Sequence, residues 1–215
     1  MTRNLKALGL AIVAVFAMSA MAASAAQAEP KTFHTEEAHT LLEGIATTNQ
    51  EFNVAAGNLV CTEGIFHGTS SVATVDEQTV EPTYKKCHGP LGEVTVDMNG
   101  CHYLLTVDPA TGTPTTGTVH INCPTKPIEV TAGICTVTVP SQTVGGITYV
   151  NEGSGSSRDV KVTANATGIH YIQHGIFCPG NSFSSSKTFT NGTYKGSVTV
   201  KGFDTNKNQK GVWVE

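Results

Sequence analysis

Cys101-His-Tyr-Leu-Leu-Thr-Val107 and Thr118-Val-His-Ile-Asn-Cys123 are two alternating runs separated by Asp108-Pro-Ala-Thr-Gly-Thr-Pro-Thr-Thr-Gly117. A period of two is the signature of a half-buried strand, and the proline- and glycine-rich middle is turn material, so the stretch reads as a β-hairpin. Setting Cys101 opposite Cys123 brings Tyr103 opposite Ile121, Leu105 opposite Val119 and Val107 opposite Gly117. Every large apolar side chain then shares a face with the two sulfurs. A slip of one residue would turn one strand's whole set to water. Facing Cβ atoms about 4.5–5.5 Å apart are near the reach of a disulfide, so the register predicts a Cys101–Cys123 bridge.

Working outward, the same texture recurs. Short alternating segments bounded by turn residues occur at Asn58–Thr62, Glu93–Met98, Ile128–Thr131, Ile134–Val139, Ile147–Asn151, Val160–Ala164, Ile169–Gln173, Thr193–Phe203 and Gly211–Glu215. They predict an all-β fold with an antiparallel, β-sandwich-like architecture, disulfide-bridged hairpins and little helix. Glu36–Gly44 has room for a turn or two of helix, but too few apolar residues to bury a helical face. Only 14% of residues are charged while Gly, Thr, Val and Ser abound, which also favours strands and turns.

The N-terminus carries Arg3 and Lys6, an apolar run from Ala7 to about Ala23, and the small-residue stretch Ala26-Gln-Ala28 before Glu29. This is the layout of a secretory signal peptide over residues 1–28, with cleavage expected between Ala28 and Glu29. The run is too short and alanine-rich for a membrane span, so no span is expected after cleavage. The expected mature region, 29–215, loses Arg3 and Lys6 and no acid, taking the net charge from −4 to −6. That balance disfavours nucleic acid as a partner and points to an unknown extracellular one. Its length allows one domain or two packed β modules, with Pro124-Thr-Lys-Pro127 as the best internal boundary.

All six cysteines, Cys61, Cys87, Cys101, Cys123, Cys135 and Cys178, lie in that mature region. An even count in an exported chain reads as a disulfide framework. Cys61–Cys87 and Cys135–Cys178 complete the simplest arrangement without nesting around the hairpin bridge. Zinc ligation is disfavoured because no Cys-x-x-Cys pair occurs.

The signal peptide, Cys61, Cys87, Asn99-Gly-Cys-His-Tyr103, Asn122-Cys-Pro124, Cys135-Thr-Val-Thr-Val-Pro140, Ile147-Thr-Tyr-Val-Asn151 and Gly192-Thr-Tyr-Lys-Gly-Ser-Val-Thr-Val200 together resemble a group of uncharacterised secreted proteins of actinobacterial type. The likeness covers most of the mature region and implies an exported, cysteine-bridged β-protein. It carries no assigned activity and hence no catalytic residue.

Histidine is the abundant reactive type. His170 and His174 share a strand face but lie roughly 13 Å apart along it, too far for one ion. His102 and His120 sit diagonally on the outer face of the hairpin, about 7–8 Å apart, and are the candidate metal pair, although no third ligand is evident. Asp204, Asn206 and Asn208 echo a calcium loop, but Gln209 replaces its glycine and Lys207 and Lys210 intrude, so a hairpin turn is expected there. Gly180-Asn-Ser182 lacks the last glycine of a nucleophile elbow. The reading is an exported, non-catalytic binding or structural module of the cell surface or exterior, with no catalytic residue and no cofactor. A small secreted hydrolase or a metal-binding protein is the alternative.

Overall fold

The computed structural model describes residues 31–109 and 112–215. The expected signal segment, with its Ala28–Glu29 junction, lies outside those residues. Among them the chain forms β1 (Phe33–Thr35), β2 (Thr40–Ala46), β3 (Gln50–Val54), β4 (Gly57–Ser70), β5 (Thr74–Val75), β6 (Glu77–Gly89), β7 (Gly92–Asp97) and β8 (His102–Val107). Then follow β9 (Thr115–Asn122), β10 (Ile128–Ala132), β11 (Cys135–Val139), β12 (Gln142–Glu152), β13 (Asp159–His174), β14 (Ser186–Phe203), β15 (Gln209–Lys210) and β16 (Val212–Val214). The one helical feature among the described residues is a 3-10 turn at Gly155–Ser157.

The fold is all-β and antiparallel, and its main sheet returns on itself. One circuit runs β4–β6–β8–β9–β12–β13–β14–β2 and back to β4. A second runs β4–β6–β7–β10–β11–β13–β14–β3 and back to β4. The long strands β4, β6, β13 and β14 belong to both, so two eight-strand rings are stacked end to end. The sandwich-like walls are thus joined along their edges, which leaves few strand edges open to unwanted pairing. Eight strands enclose an interior just wide enough for side chains or one small ligand.

The β8–β9 hairpin has Tyr103 paired with Ile121, Leu105 with Val119 and Val107 with Gly117, the register that the alternation implies. These residues face the barrel interior. Disulfides join Cys61 to Cys87, Cys101 to Cys123 and Cys135 to Cys178. Strands on either side of residues 124–127 pair with one another, β7 with β10 and β9 with β12.

Glu36–Gly44 is not helical. Its second half is β2, where Thr40, Leu42 and Gly44 are buried and Leu41, Glu43 and Ile45 are exposed, a period of two. The expected strands Val160–Ala164 and Ile169–Gln173 are one long strand, β13, whose register shifts on either side of Ile169 next to Gly168 at φ +73°. A residue without a Cβ takes that conformation freely, so the chain bends without ending the strand.

A three-stranded sheet of β5, β1 and β16 closes one end of the barrel. Phe33 packs edge-on against Tyr149 at 5.3 Å. The Asn151 amide donates to the Val214 carbonyl at 2.8 Å and accepts the Val214 N–H at 2.9 Å. Trp213 lies between the His34 ring, stacked at 5.3 Å, and the Arg158 guanidinium at 4.7 Å. β13 begins beside this cap at Asp159 and ends at His174, roughly 50 Å away by strand rise, so the loops after its C-terminal end form the opposite pole.

Candidate functional site

The inward positions of the walls enclose an apolar cavity of about 120 Å³. Its origin lies in side-chain size. β13 and β14 run side by side with Ala164 opposite Gly196 and Ala166 opposite Tyr194, so three small residues occupy one patch of the inner wall. Facing residues such as Val144, Leu105 and Val80 do not reach far enough to fill the gap. Close packing normally leaves few voids larger than a water molecule, which makes a space of this size unusual in a core. A smaller cavity of about 40 Å³ lies beneath the cap, and Val80, Leu105, Val162 and Val200 line both.

One polar cluster reaches this interior. Tyr84 and Tyr103 share a hydroxyl–hydroxyl hydrogen bond of 3.2 Å. The Tyr194 hydroxyl donates to the side-chain oxygen of Gln50, whose amide donates to the Thr48 carbonyl at 2.8 Å. Gln50 is fully buried in a notch that Gly196 opens, since a Cβ there would stand 2.3 Å from the Gln50 oxygen. Phe52 packs against both Tyr84 and Tyr194 at 5.3 and 4.8 Å. Burial pushes Tyr103 up to about 12, and raises Tyr84 and Tyr194 for the same reason, reinforced at Tyr84 by Tyr103 and Tyr194 and at Tyr194 by Tyr103. The three phenols therefore stay neutral near pH 7. They can donate or accept a hydrogen bond but cannot serve as a base there.

No charged side chain lines the cavity. Burying an ion without a counter-charge is costly, so the space suits a neutral, mostly apolar molecule with at most one polar group for the tyrosines. A cavity of roughly 150 Å³ holds benzene, so 120 Å³ corresponds to about five or six carbon atoms.

The residues singled out in the sequence lie elsewhere. His102 and His120 do share the outer face of the hairpin, but His102 Nε2 meets the Asn122 amide at 3.0 Å and His120 Nδ1 meets the Thr143 hydroxyl at 2.9 Å. His174 Nε2 faces the Thr138 hydroxyl at 3.3 Å. Among the described residues no three His, Cys, Asp or Glu side chains form a group that could hold a metal ion. The calcium-loop echo is a turn: Asp204 accepts the backbone N–H of Asn206 and Asn208, each at 2.8 Å, and the Asn208 side-chain amide at 2.9 Å. These bonds hold its carboxyl below the usual aspartate range.

Two features escaped the sequence reading. The inward tyrosines come from β6, β8 and β14, and β6 itself was not recognised. A second is the row Lys201–Glu43–His67–Glu81, which crosses four neighbouring strands on the outer face. Glu43, His67 and Glu81 of this row border an open groove of about 610 Å³ together with Leu41, Phe203 and Lys207. All four side chains of the row are exposed, where such charges interact only weakly. Apolar inside and charged outside is the reverse of a barrel that spans a bilayer. No helix among the described residues is long and apolar enough to cross a membrane. No protein-family model, curated protein or solved structure matches this chain.

Proposed function

We propose that this chain is an exported, non-catalytic binding protein that encloses a small, neutral, apolar ligand inside its barrel. The observation that carries this reading is the 120 Å³ interior cavity with its uncharged lining. Export is inferred from the signal-peptide layout of residues 1–28 together with three disulfides, which persist in oxidising compartments. A non-catalytic role fits an interior whose polar groups are neutral phenols.

The cap is the natural route of entry. It consists of two strands of three residues and one of two, and the space beneath it adjoins the main cavity. Thermal unfolding of the mature protein with and without benzene, and with hexanol, tests the reading. A ligand that binds the folded state alone raises the midpoint with concentration. Benzene should do so, and hexanol more strongly if its hydroxyl meets the tyrosines. Midpoints that stay flat up to the solubility limits of both compounds would sink the proposal.

A further inference from the structure

The pole opposite the cap has a different character. Turn 55–57, turn 89–92, turn 133–134 and loop 175–186 meet there. Ala132 pairs with Val94, setting the second and third side by side. The Cys135–Cys178 disulfide ties the third to the fourth. A Cβ on Gly180 would stand 2.9 Å from that of Ala55, which places the first against the fourth. These segments read Ala-Ala-Gly, Gly-Pro-Leu-Gly, Gly-Ile and Gly-Ile-Phe-Cys-Pro-Gly-Asn-Ser-Phe-Ser-Ser-Ser, without one acidic or basic residue. They present Leu91, Ile134, Ile176, Phe177 and Phe183 to solvent, the two phenylalanines 70% and 82% exposed.

The display is rigidly built. Gln173 and Asn181 are both buried. The Gln173 amide donates to the Pro179 carbonyl at 2.6 Å and to the Asn181 side-chain oxygen at 3.0 Å. The Asn181 amide donates to the carbonyls of Gln173 and Gly175 at 3.1 and 2.9 Å. Ser182 and Phe183 take φ of +51° and +65°, a conformation uncommon for a bulky residue and one that stores strain. A disulfide, a buried amide pair and a strained turn are thus spent on a loop whose large side chains contact water.

We propose that this pole is a contact surface for a lipid bilayer of low charge, into whose interface Phe177, Phe183 and Ile134 insert. Five exposed apolar side chains gathered at one pole make a patch of the size that marks a membrane or protein contact. It consists of tips on separate loops, and the nearest charged side chains, Glu93 and Lys187, flank the turns and do not stand among the tips. Insertion of such tips takes no charge out of water. Lys187 sits at the edge, donating to the Gly180 carbonyl at 3.0 Å, where an ammonium can reach the headgroups. With no basic cluster at this pole, anionic lipid is not required.

Flotation of the mature protein with phosphatidylcholine vesicles tests the surface, with and without added phosphatidylserine. The expected result is binding that changes little with phosphatidylserine or salt. F177S and F183S should each weaken it at least about tenfold, since burial of one such side chain is worth that much or more. Both side chains are largely exposed, so the variants should keep the parent's unfolding midpoint, which checks their folding. Failure to float at millimolar lipid, or flotation unchanged in both variants, would overturn the proposal. So would a concentration-dependent dimer in sedimentation equilibrium that either substitution abolishes, because that would make the occupant a second copy of the chain.

Discussion

Replacing Ala164 by leucine puts the cavity to a quantitative test. Ala164 lies on the inner wall between Ile147 and Gly196 and borders the open space, so a larger side chain there grows into it. An unfilled apolar cavity costs about 24 cal/mol per Å³, so 120 Å³ corresponds to about 3 kcal/mol relative to a packed interior. Leucine adds three carbons, enough to occupy roughly half of that space, and should recover about 1–1.5 kcal/mol if the χ angles stay in their wells. In a chain of this size that raises the thermal midpoint by about 2–6 °C. The same substitution removes the room that benzene would take, so the benzene-induced shift should disappear. Differential scanning calorimetry of both proteins, with and without benzene, reads both effects. A lowered midpoint combined with an undiminished benzene shift would refute the reasoning, because it would mean that Ala164 faces a packed wall and that benzene binds elsewhere.

Two further outcomes follow from titratable groups. All five tyrosines, Tyr84, Tyr103, Tyr149, Tyr171 and Tyr194, are held above the ordinary phenol value, in each case first by burial. The folded state therefore keeps its phenolic protons where the unfolded chain releases them. That stability is fully present below about pH 10 and is lost as pH rises towards about 12. Tyrosinate absorbance near 295 nm should appear in one step together with loss of the near-ultraviolet dichroism, and early, gradual ionisation of several tyrosines in folded protein would contradict it. At the cap, the Glu36 carboxylate accepts the Gly211 N–H at 3.0 Å and the Ser156 hydroxyl at 3.0 Å, and its pKa is lowered from 4.5 chiefly by the first of these bonds. Its contribution is present above pH 4.5 and fades as pH falls through the lower folded value. Protection factors for hydrogen exchange at Val212 and Val214, each taken relative to the intrinsic rate at the same pH, should therefore fall below pH 4.5 and change less there in E36Q; equal protection profiles in the two proteins would count against the tether.

What the sequence disclosed is what a period of two can disclose. The β8–β9 register was legible because Tyr103, Leu105, Val119 and Ile121 leave only one pairing that buries them all. β6 was invisible for the converse reason. Glu77–Gly89 carries Pro82 and the pair Lys85-Lys86, features that argue against a central strand. Pro82 is accommodated because β8 pairs with residues 77–80 and β7 with residues 87–89, leaving β4 as the sole neighbour in between. The lengths of β13 and β14 were hidden as well, since Gly168 and Gly192 read as ends when they are bends.

The cavity was beyond reach for a further reason. Alternation marks which side of a strand faces inward, but not whether inward residues on opposite walls meet. Ala164, Ala166 and Gly196 are each ordinary in a strand; the β13–β14 pairing sets them on one patch of wall, and the patch becomes a site only because closure of the sheet puts other walls opposite it. Closure is a property of pairings between residues far apart in the chain, such as β14 with β2 and β11 with β13, which leave no local mark. The tyrosine cluster has the same origin: Tyr84, Tyr103 and Tyr194 come from three strands, and the rise of their phenols above the ordinary value follows from shared burial that none of them announces alone. The exposed pole leaves a partial mark: the uncharged turns holding Leu91, Ile134, Phe177 and Phe183 are visible in the sequence, but only the fold gathers them at one end. In this fold, elements follow from local pattern, whereas sites follow from the order in which distant strands close the ring.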